Sequence, residues 1–230
     1  MLSVISSVFI VVPAFNEERS LGQVLSTLCS KGYSVVVVDD GSTDDTWSIV
    51  CRFPVSGIRH IVNLGQGAAL QTGMKFAILQ RAKIVVHFDA DGQHCADEIS
   101  HLIEPILRNE ADVVFGSRFL REEDRLQIPI KKRLLLKAAT VVNGLLTGLW
   151  LSDAHNGMRA LNLEAARKVT IKENGYAHAS EILLRVREAG LRFTEVPTKV
   201  AYTEYSMAKG QPLWNSINIA VDVLLRRILQ

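Results

Sequence analysis

A chain of 230 residues with 48% apolar and 22% charged side chains can bury one sizeable core, which excludes a fibrous or disordered protein. A net charge of +2 is too small for the electrostatic footprint of nucleic-acid binding. The three cysteines (Cys29, Cys51 and Cys95) lack metal-ligand spacing and read as reduced thiols, which fits a cytosolic setting.

Residues 1–7 carry no basic stretch before their apolar residues, so a signal peptide is not expected. Residues 8–12 form a continuous apolar run, the pattern of a strand buried on both faces. An amphipathic stretch (17–30) follows, then a strand (34–38), a helix (44–52), a short strand (58–62), a helix (65–80), a strand (83–88), a helix (97–107) and a strand (112–115). This alternation predicts a largely parallel sheet covered by helices on both faces. In such sheets ligands bind at the carboxyl ends of the strands. Those ends hold Pro13-Ala14-Phe15-Asn16-Glu17, Asp39-Asp40-Gly41-Ser42-Thr43-Asp44-Asp45-Thr46, Asn63-Leu64-Gly65-Gln66-Gly67, Asp89-Ala90-Asp91-Gly92-Gln93-His94 and Gly116-Ser117-Arg118. Singly, each is an ordinary cap or turn. Asp89 and Asp91 at one strand end also supply two hard oxygen donors, suited to a divalent cation that bridges nucleotide phosphates.

After Arg118 the alternation stops. Residues 119–128 are charged and read as a mobile loop, and Pro129 opens a long helix with Lys131, Lys132 and Arg133 in its first turns. Cations there oppose the helix dipole. They face either an anionic ligand, a lipid headgroup or plain solvent. Residues 134–151 are interrupted by Lys137 and Asn143, and no segment offers the ~20 apolar residues of a spanning helix. Residues 212–229 are amphipathic, with Trp214, Ile217, Val221, Leu224, Leu225 and Ile228 near one face. They suit a docked terminal helix, a membrane-surface helix or a dimer face.

In order and spacing, P-A-F-N-E, V-D-D-G-S-T-D-D-T, D-A-D-G-Q-H, G-S-R and the D-x-x-N-G-M-R of residues 153–159 resemble the inverting family-2 glycosyltransferases of GT-A fold. The resemblance covers about residues 7–210 and is nearest to the dolichyl- and polyprenyl-phosphate mannosyl- or glucosyltransferases. It implies an α/β GT-A catalytic domain over residues 1–210, with residues 211–230 as a C-terminal amphipathic helix. Pro13, Phe15, Glu17, Val38, Asp40, Gly65, Gly67, Asp89, Ala90 and Asp91 would line the nucleotide-sugar site. Asp89, Asp91 and Gln93 would hold Mg²⁺ or Mn²⁺. Asp91, Arg118, Asp153 and Lys209 would carry the reaction, with Asn156 near the sugar. Arg118, Lys132, Arg133 and Glu181 would bind the acceptor.

Two departures from the family's patterns matter. Members that glycosylate hydroxyls carry a Glu-Asp pair opening a late helix, and the matching position here is Ala179. A hydroxyl needs a general base at neutral pH, whereas a phosphate monoester, with a second pKa near ~6, is already ionised. The missing base thus points to a lipid-phosphate acceptor. The alternative is a sugar-hydroxyl acceptor with His178 as base. The Arg expected before a Ser-Lys pair is also missing from residues 201–210, leaving Lys209, Tyr202 and Tyr205 to meet the diphosphate. A nucleotidyltransferase is disfavoured by the lack of a Gly-rich basic loop after the first strand. A degenerate nucleotide-sugar-binding module is disfavoured by retention of Asp89, Asp91 and Gln93. Peripheral contact with a membrane, a membrane partner subunit or a homo-oligomer would complete the partners.

Overall fold

The computed structural model describes residue 5, residues 7–175 and residues 177–201. Seven strands form one sheet in the order β3-β2-β1-β4-β6-β5-β7. They are β1 (Val8–Ala14), β2 (Ser34–Asp39), β3 (Ser56–Arg59), β4 (Ile84–His87), β5 (Val113–Ser117), β6 (Arg159–Asn162) and β7 (Phe193–Pro197). All but β6 run parallel; β6 lies antiparallel between β4 and β5. The start of β6 therefore meets the carboxyl ends of its neighbours, with Arg159 opposite His87 and Phe115. The sheet is mostly parallel, as the alternation of elements required.

Eight helices flank it among the described residues: α1 (Leu21–Ser30), α2 (Thr46–Val50), α3 (Gln66–Leu79), α4 (Glu98–Leu107), α5 (Glu122–Gln127), α6 (Ile130–Thr147), α7 (Leu163–Lys168) and α8 (His178–Glu188). Successive strand residues point to opposite faces. Val8, Ile10 and Val12 accordingly pack with Leu21, Leu25 and Leu28 of α1 and with Ile99 and Leu102 of α4. Val11 and Val85 pack on the other face with Leu70 and Met74 of α3 and with Ile182, Leu183 and Val186 of α8.

Two expected elements differ. The segment 119–128 contains α5 rather than a loop throughout, because Arg121 grips Glu98 with both terminal nitrogens (2.8 and 3.2 Å) and Asp124 is buried beside it. The third strand ends at Arg59 instead of running to residue 62. Ile61 and Val62 lie exposed in a loop pinned from below by Asp40. Lys209, Tyr202, Tyr205 and the amphipathic stretch 212–229 lie outside the described residues, as does the boundary at residue 210.

Candidate active site

The carboxyl ends of β1 and β2 are stitched together before any ligand is considered. Asn16 takes a left-handed conformation (φ 54°), which an Asn tolerates. Its N–H then donates to Ser42 Oγ (2.9 Å), and its Oδ1 accepts from the Thr43 N–H (2.9 Å). The Glu17 N–H donates to Thr46 Oγ1 (2.7 Å). Pro13 is buried beneath this crossing, while Phe15 keeps an exposed ring face that can meet a base. Val38 is fully buried and packs with Ala69 of α3, so its side chain points into the core and not to the edge.

Asp40 is turned inward. Its carboxylate accepts from the N–H groups of Leu64 (3.0 Å) and Gly65 (2.7 Å), and His60 Nδ1 lies 2.7 Å away. The structure therefore uses Asp40 to shape the loop leading into α3. Gly65 and Gly67 also make room for protein: a Cβ at Gly65 would lie 2.3 Å from the Asn174 carbonyl, and one at Gly67 would lie 1.9 Å from that of Glu173. The 173–175 segment crosses here, tied by Gly67 N–H to Asn174 O (2.8 Å). It is held from the other side by Glu181, whose carboxylate accepts from the Lys172 and Glu173 N–H groups (both 2.8 Å). Glu181 is thereby occupied in fixing this strap.

Asp89 follows β4 on the α3 and α8 side of the sheet. Gln66 Nε2 donates to one of its oxygens, and His94 Nε2 lies against the other, each at 3.0 Å. Gly157 is pressed so close that a Cβ would lie 2.1 Å from Asp89 Oδ2. Burial alone would raise this carboxyl; the His94 hydrogen bond and the charges of His94 and Arg159 outweigh it and hold Asp89 below the usual carboxylate range. Ala90 turns into the core. Asp91 is the opposite case. It accepts the Gln93 N–H (2.9 Å), and burial followed by the neighbouring Asp89 charge pushes its pKa up to about 6, with Glu17 adding to the rise. A cavity of about 430 Å³ opens beside Asp91, His94 and Phe88, walled by Arg19, Ser20 and Gln23 of the α1 approach.

A pair of acidic groups at an accessible edge, one of them destabilised by the other's charge, has the chemistry of a divalent-cation site. Among the described residues no cluster of three or more His, Cys, Asp or Glu side chains could hold a metal by itself. The donor set thus fits an ion that takes one or two carboxylates and completes its shell with phosphate and water, as Mg²⁺ and similar ions do.

Arg118 leaves β5 on the same edge, but its guanidinium is engaged. Nε donates to Asp153 Oδ2 (2.6 Å) and a terminal nitrogen to Oδ1 (2.8 Å), with both residues buried. Burial would raise the Asp153 carboxyl; the Arg118 charge and hydrogen bonds instead hold it below its ordinary range. Asn156 is buried too, donating to Thr198 Oγ1 (2.8 Å). Beneath the edge lie His87, Arg159 and His178. Desolvation lowers His87 to about 3, Arg159 to about 10 and His178 to about 4, so both histidines are neutral at pH 7. The Nδ1 of His178 sits 2.8 Å from the Gly175 carbonyl.

Sequence reasoning assigned no role to Gln66, His94 or Arg159. Each stood inside a quoted motif; only the fold shows that all three surround Asp89. Arg133 lies on the second turn of α6, and the Lys132 side chain is outside the described structure.

The glycosyl transferase family 2 profile matches residues 9–170. The chain belongs to this family. Among its relatives, a UDP-N-acetylglucosamine–dolichyl-phosphate N-acetylglucosaminyltransferase of Methanococcus voltae is 31% identical across 96% of this chain and 96% of that protein. A polyprenol monophosphomannose synthase of Mycolicibacterium smegmatis is 25% identical across 87% and 79% of the two chains. In fold, the glycosyltransferase is similar to glucosyl-3-phosphoglycerate synthase of M. tuberculosis (TM-score 0.71, 22% identity, covering 98% of this chain and 82% of that one). That synthase has also been crystallised with Mn²⁺, UDP and glucosyl-3-phosphoglycerate.

Proposed function

We propose that this family-2 glycosyltransferase moves a hexose or N-acetylhexosamine from a UDP- or GDP-linked donor to a polyprenyl phosphate, inverting the anomeric carbon. The observation that carries the reading is the opening of α8. Ala177, His178 and Ala179 stand there, and the one titratable group among them is a histidine lowered to about 4 by burial. A group so weakly basic is a poor acceptor for the proton of a sugar hydroxyl. A phosphate oxygen is already anionic and attacks the anomeric carbon directly, while the bond from that carbon to the leaving nucleoside diphosphate breaks. The relatives named for dolichyl-phosphate and polyprenol products support the same acceptor.

Asp91 and Asp89, with Gln93, would hold the divalent cation, which when bound would neutralise charge on the departing diphosphate. The chain's own residues do the remaining work. Gln66 and His94 fix the Asp89 carboxylate. Phe15 offers a face to the base, and the 173–175 strap closes one side of the site. Lys209 would meet the diphosphate, and Arg133 with Lys132 the acceptor phosphate. Arg118, fixed on Asp153, would bring its positive charge to the substrate anion.

The test combines a panel of UDP- and GDP-sugars, Mg²⁺ or Mn²⁺ and a short polyprenyl phosphate, with Asp91→Ala as control. Cation-dependent formation of a lipid-phosphate sugar, lost in the control, is expected. Turnover with glycan hydroxyl acceptors alone, abolished in His178→Ala, would replace this reading.

A further inference from the structure

The inner face of α6 carries polar residues where a helix of a globular protein normally buries apolar ones. Thr140, Asn143 and Thr147 are all buried there, at the spacing that lines one side of a helix. Both threonines are engaged locally. Thr140 Oγ1 accepts from the Ala154 N–H (3.5 Å), and Thr147 Oγ1 donates to the Asn143 carbonyl (2.8 Å). Asn143 itself is 3% exposed, yet neither its Oδ1 nor its Nδ2 has a hydrogen-bond partner among the described residues.

His155 stands against the same turn. Its ring is hydrogen-bonded to the Ala139 carbonyl, while its Nε2 is buried without a partner. The carbonyl therefore takes the Nδ1 proton and leaves Nε2 as a bare lone pair. Burial, opposed by the Asp153 charge and aided by those of Arg118 and Arg159, lowers the ring below the usual imidazole range, so it is neutral at pH 7. In an α-helix the carbonyl of residue 139 points at residue 143. The side chain of 143 leans back over the turn that holds 139 and 140. The amide and the imidazole thus bring three unpartnered polar atoms together between α6 and the 152–156 loop.

Buried polar atoms of a native fold are nearly always partnered, because an unpaired one forfeits its hydration for nothing. The three atoms define what would complete them. Nε2 and Oδ1 accept hydrogen bonds, and only Nδ2 donates. A phosphate would meet two acceptors and no cation among them. A hydroxyl, or an acetamido group with its one N–H and one carbonyl, can both donate and accept. His155 is partly exposed, so the nest is not sealed from solvent. The ring also lies within the fields of Arg118 and Arg159, on the loop whose Asp153 and Asn156 belong to the site.

We infer that Asn143 and His155 form a subsite for a neutral polar substituent of the transferred sugar, a hydroxyl or an acetamido group, and so select among donor sugars. This rests on the sugar-transfer reading but not on the identity of the acceptor.

The experiment is calorimetry of the full chain with Mn²⁺ and no acceptor, titrating UDP, GDP, UDP-glucose, UDP-galactose, UDP-N-acetylglucosamine and GDP-mannose. Wild type, Asn143→Leu and His155→Phe are compared. Wild type is expected to prefer one sugar nucleotide over its analogues. Each variant should lose about tenfold or more of that preference, with affinity for bare UDP or GDP kept within about twofold. A preference lost between glucose and its N-acetyl form assigns an acetamido group, and one lost between epimers assigns a hydroxyl. The thermal midpoint of unliganded Asn143→Leu should not fall, since leucine fills the space without an unpaired amide. Preference retained in both variants would overturn the inference and leave water as the only occupant of the nest. So would a parallel loss of bare nucleotide affinity, or a lower midpoint in Asn143→Leu, which would show the amide to be structural. Wild-type protein that binds no sugar nucleotide would sink the sugar-transfer reading and the subsite together. Selective binding without transfer to polyprenyl phosphate would sink the proposed acceptor and leave the subsite standing.

Discussion

Replacing Asp91 by Asn should stabilise the cation-free protein while destroying its activity. In the folded chain burial and the Asp89 charge raise the Asp91 pKa to about 6, against ~3.9 for an unfolded aspartate. The folded state therefore binds this proton more tightly than the unfolded state does. Stability contributed by the protonated group is complete below about pH 4 and is lost as the pH rises towards about 6. Above that the ionised carboxylate is a standing penalty. Two pKa units correspond to ~3 kcal/mol, and the carboxylate's partial access to water screens this to roughly 1–3 kcal/mol. Asn keeps the oxygen that accepts the Gln93 N–H and removes the charge. In EDTA at pH 8, the thermal midpoint of Asp91→Asn should rise by ~2–12 °C, at roughly 2–4 °C per kcal/mol for a chain of this size. At pH 4 the difference should vanish, because the wild-type group is then protonated too. Sugar transfer should fall by ~10²-fold or more, as expected when charge stabilisation of a leaving group is lost. A variant less stable than wild type at pH 8, or a gain of equal size at both pH values, would refute the reasoning.

Other consequences follow from the same geometry. Asp153→Ala leaves the Arg118 guanidinium buried without its partner and should cost about 3–5 kcal/mol in urea unfolding, whereas Arg118→Met/Asp153→Leu should recover part of the loss; an equal loss in both would contradict the pairing. Gly67→Ala drives a Cβ to 1.9 Å from the Glu173 carbonyl, so about 2–4 kcal/mol of destabilisation and faster proteolysis around residues 173–175 are expected. His178→Gln should retain lipid-phosphate transfer within a few-fold, and a loss approaching ~10²-fold would make His178 a catalytic base after all. Affinity for Mn²⁺ with UDP, measured by calorimetry between pH 5 and 8, should weaken by up to tenfold per pH unit below about 6, as Asp91 takes up its proton.

The chain's alternation of buried apolar runs with amphipathic stretches was enough to specify a largely parallel sheet, because a strand covered on both faces has no polar side to present. The turn-rich motifs were legible as a functional edge for a related reason: carboxylates and glycines collected where strands end. Motif letters do not say which way a side chain points. Asp40 and Asp89 look alike in sequence, yet three neighbours of the 60–65 loop occupy the first, while the second keeps 27% of its side chain exposed. The glycines at 65 and 67 are read in sequence as lining the nucleotide-sugar site, but the backbone that presses on them is the protein's own. It is the strap at 173–175, about a hundred residues away along the chain.

By itself, then, the sequence determined the fold class, the family and the edge where chemistry happens, since these follow from local periodicity and ordered motifs. Tertiary structure alone decided the partners. Strand β6, inserted antiparallel between β4 and β5, carries Arg159 beneath Asp89, and the loop before it brings Asp153 to Arg118. The charge state of each group depends on these long-range neighbours and on burial, because electrostatic energies are set by distance and by exclusion of water. No spacing along the chain encodes either.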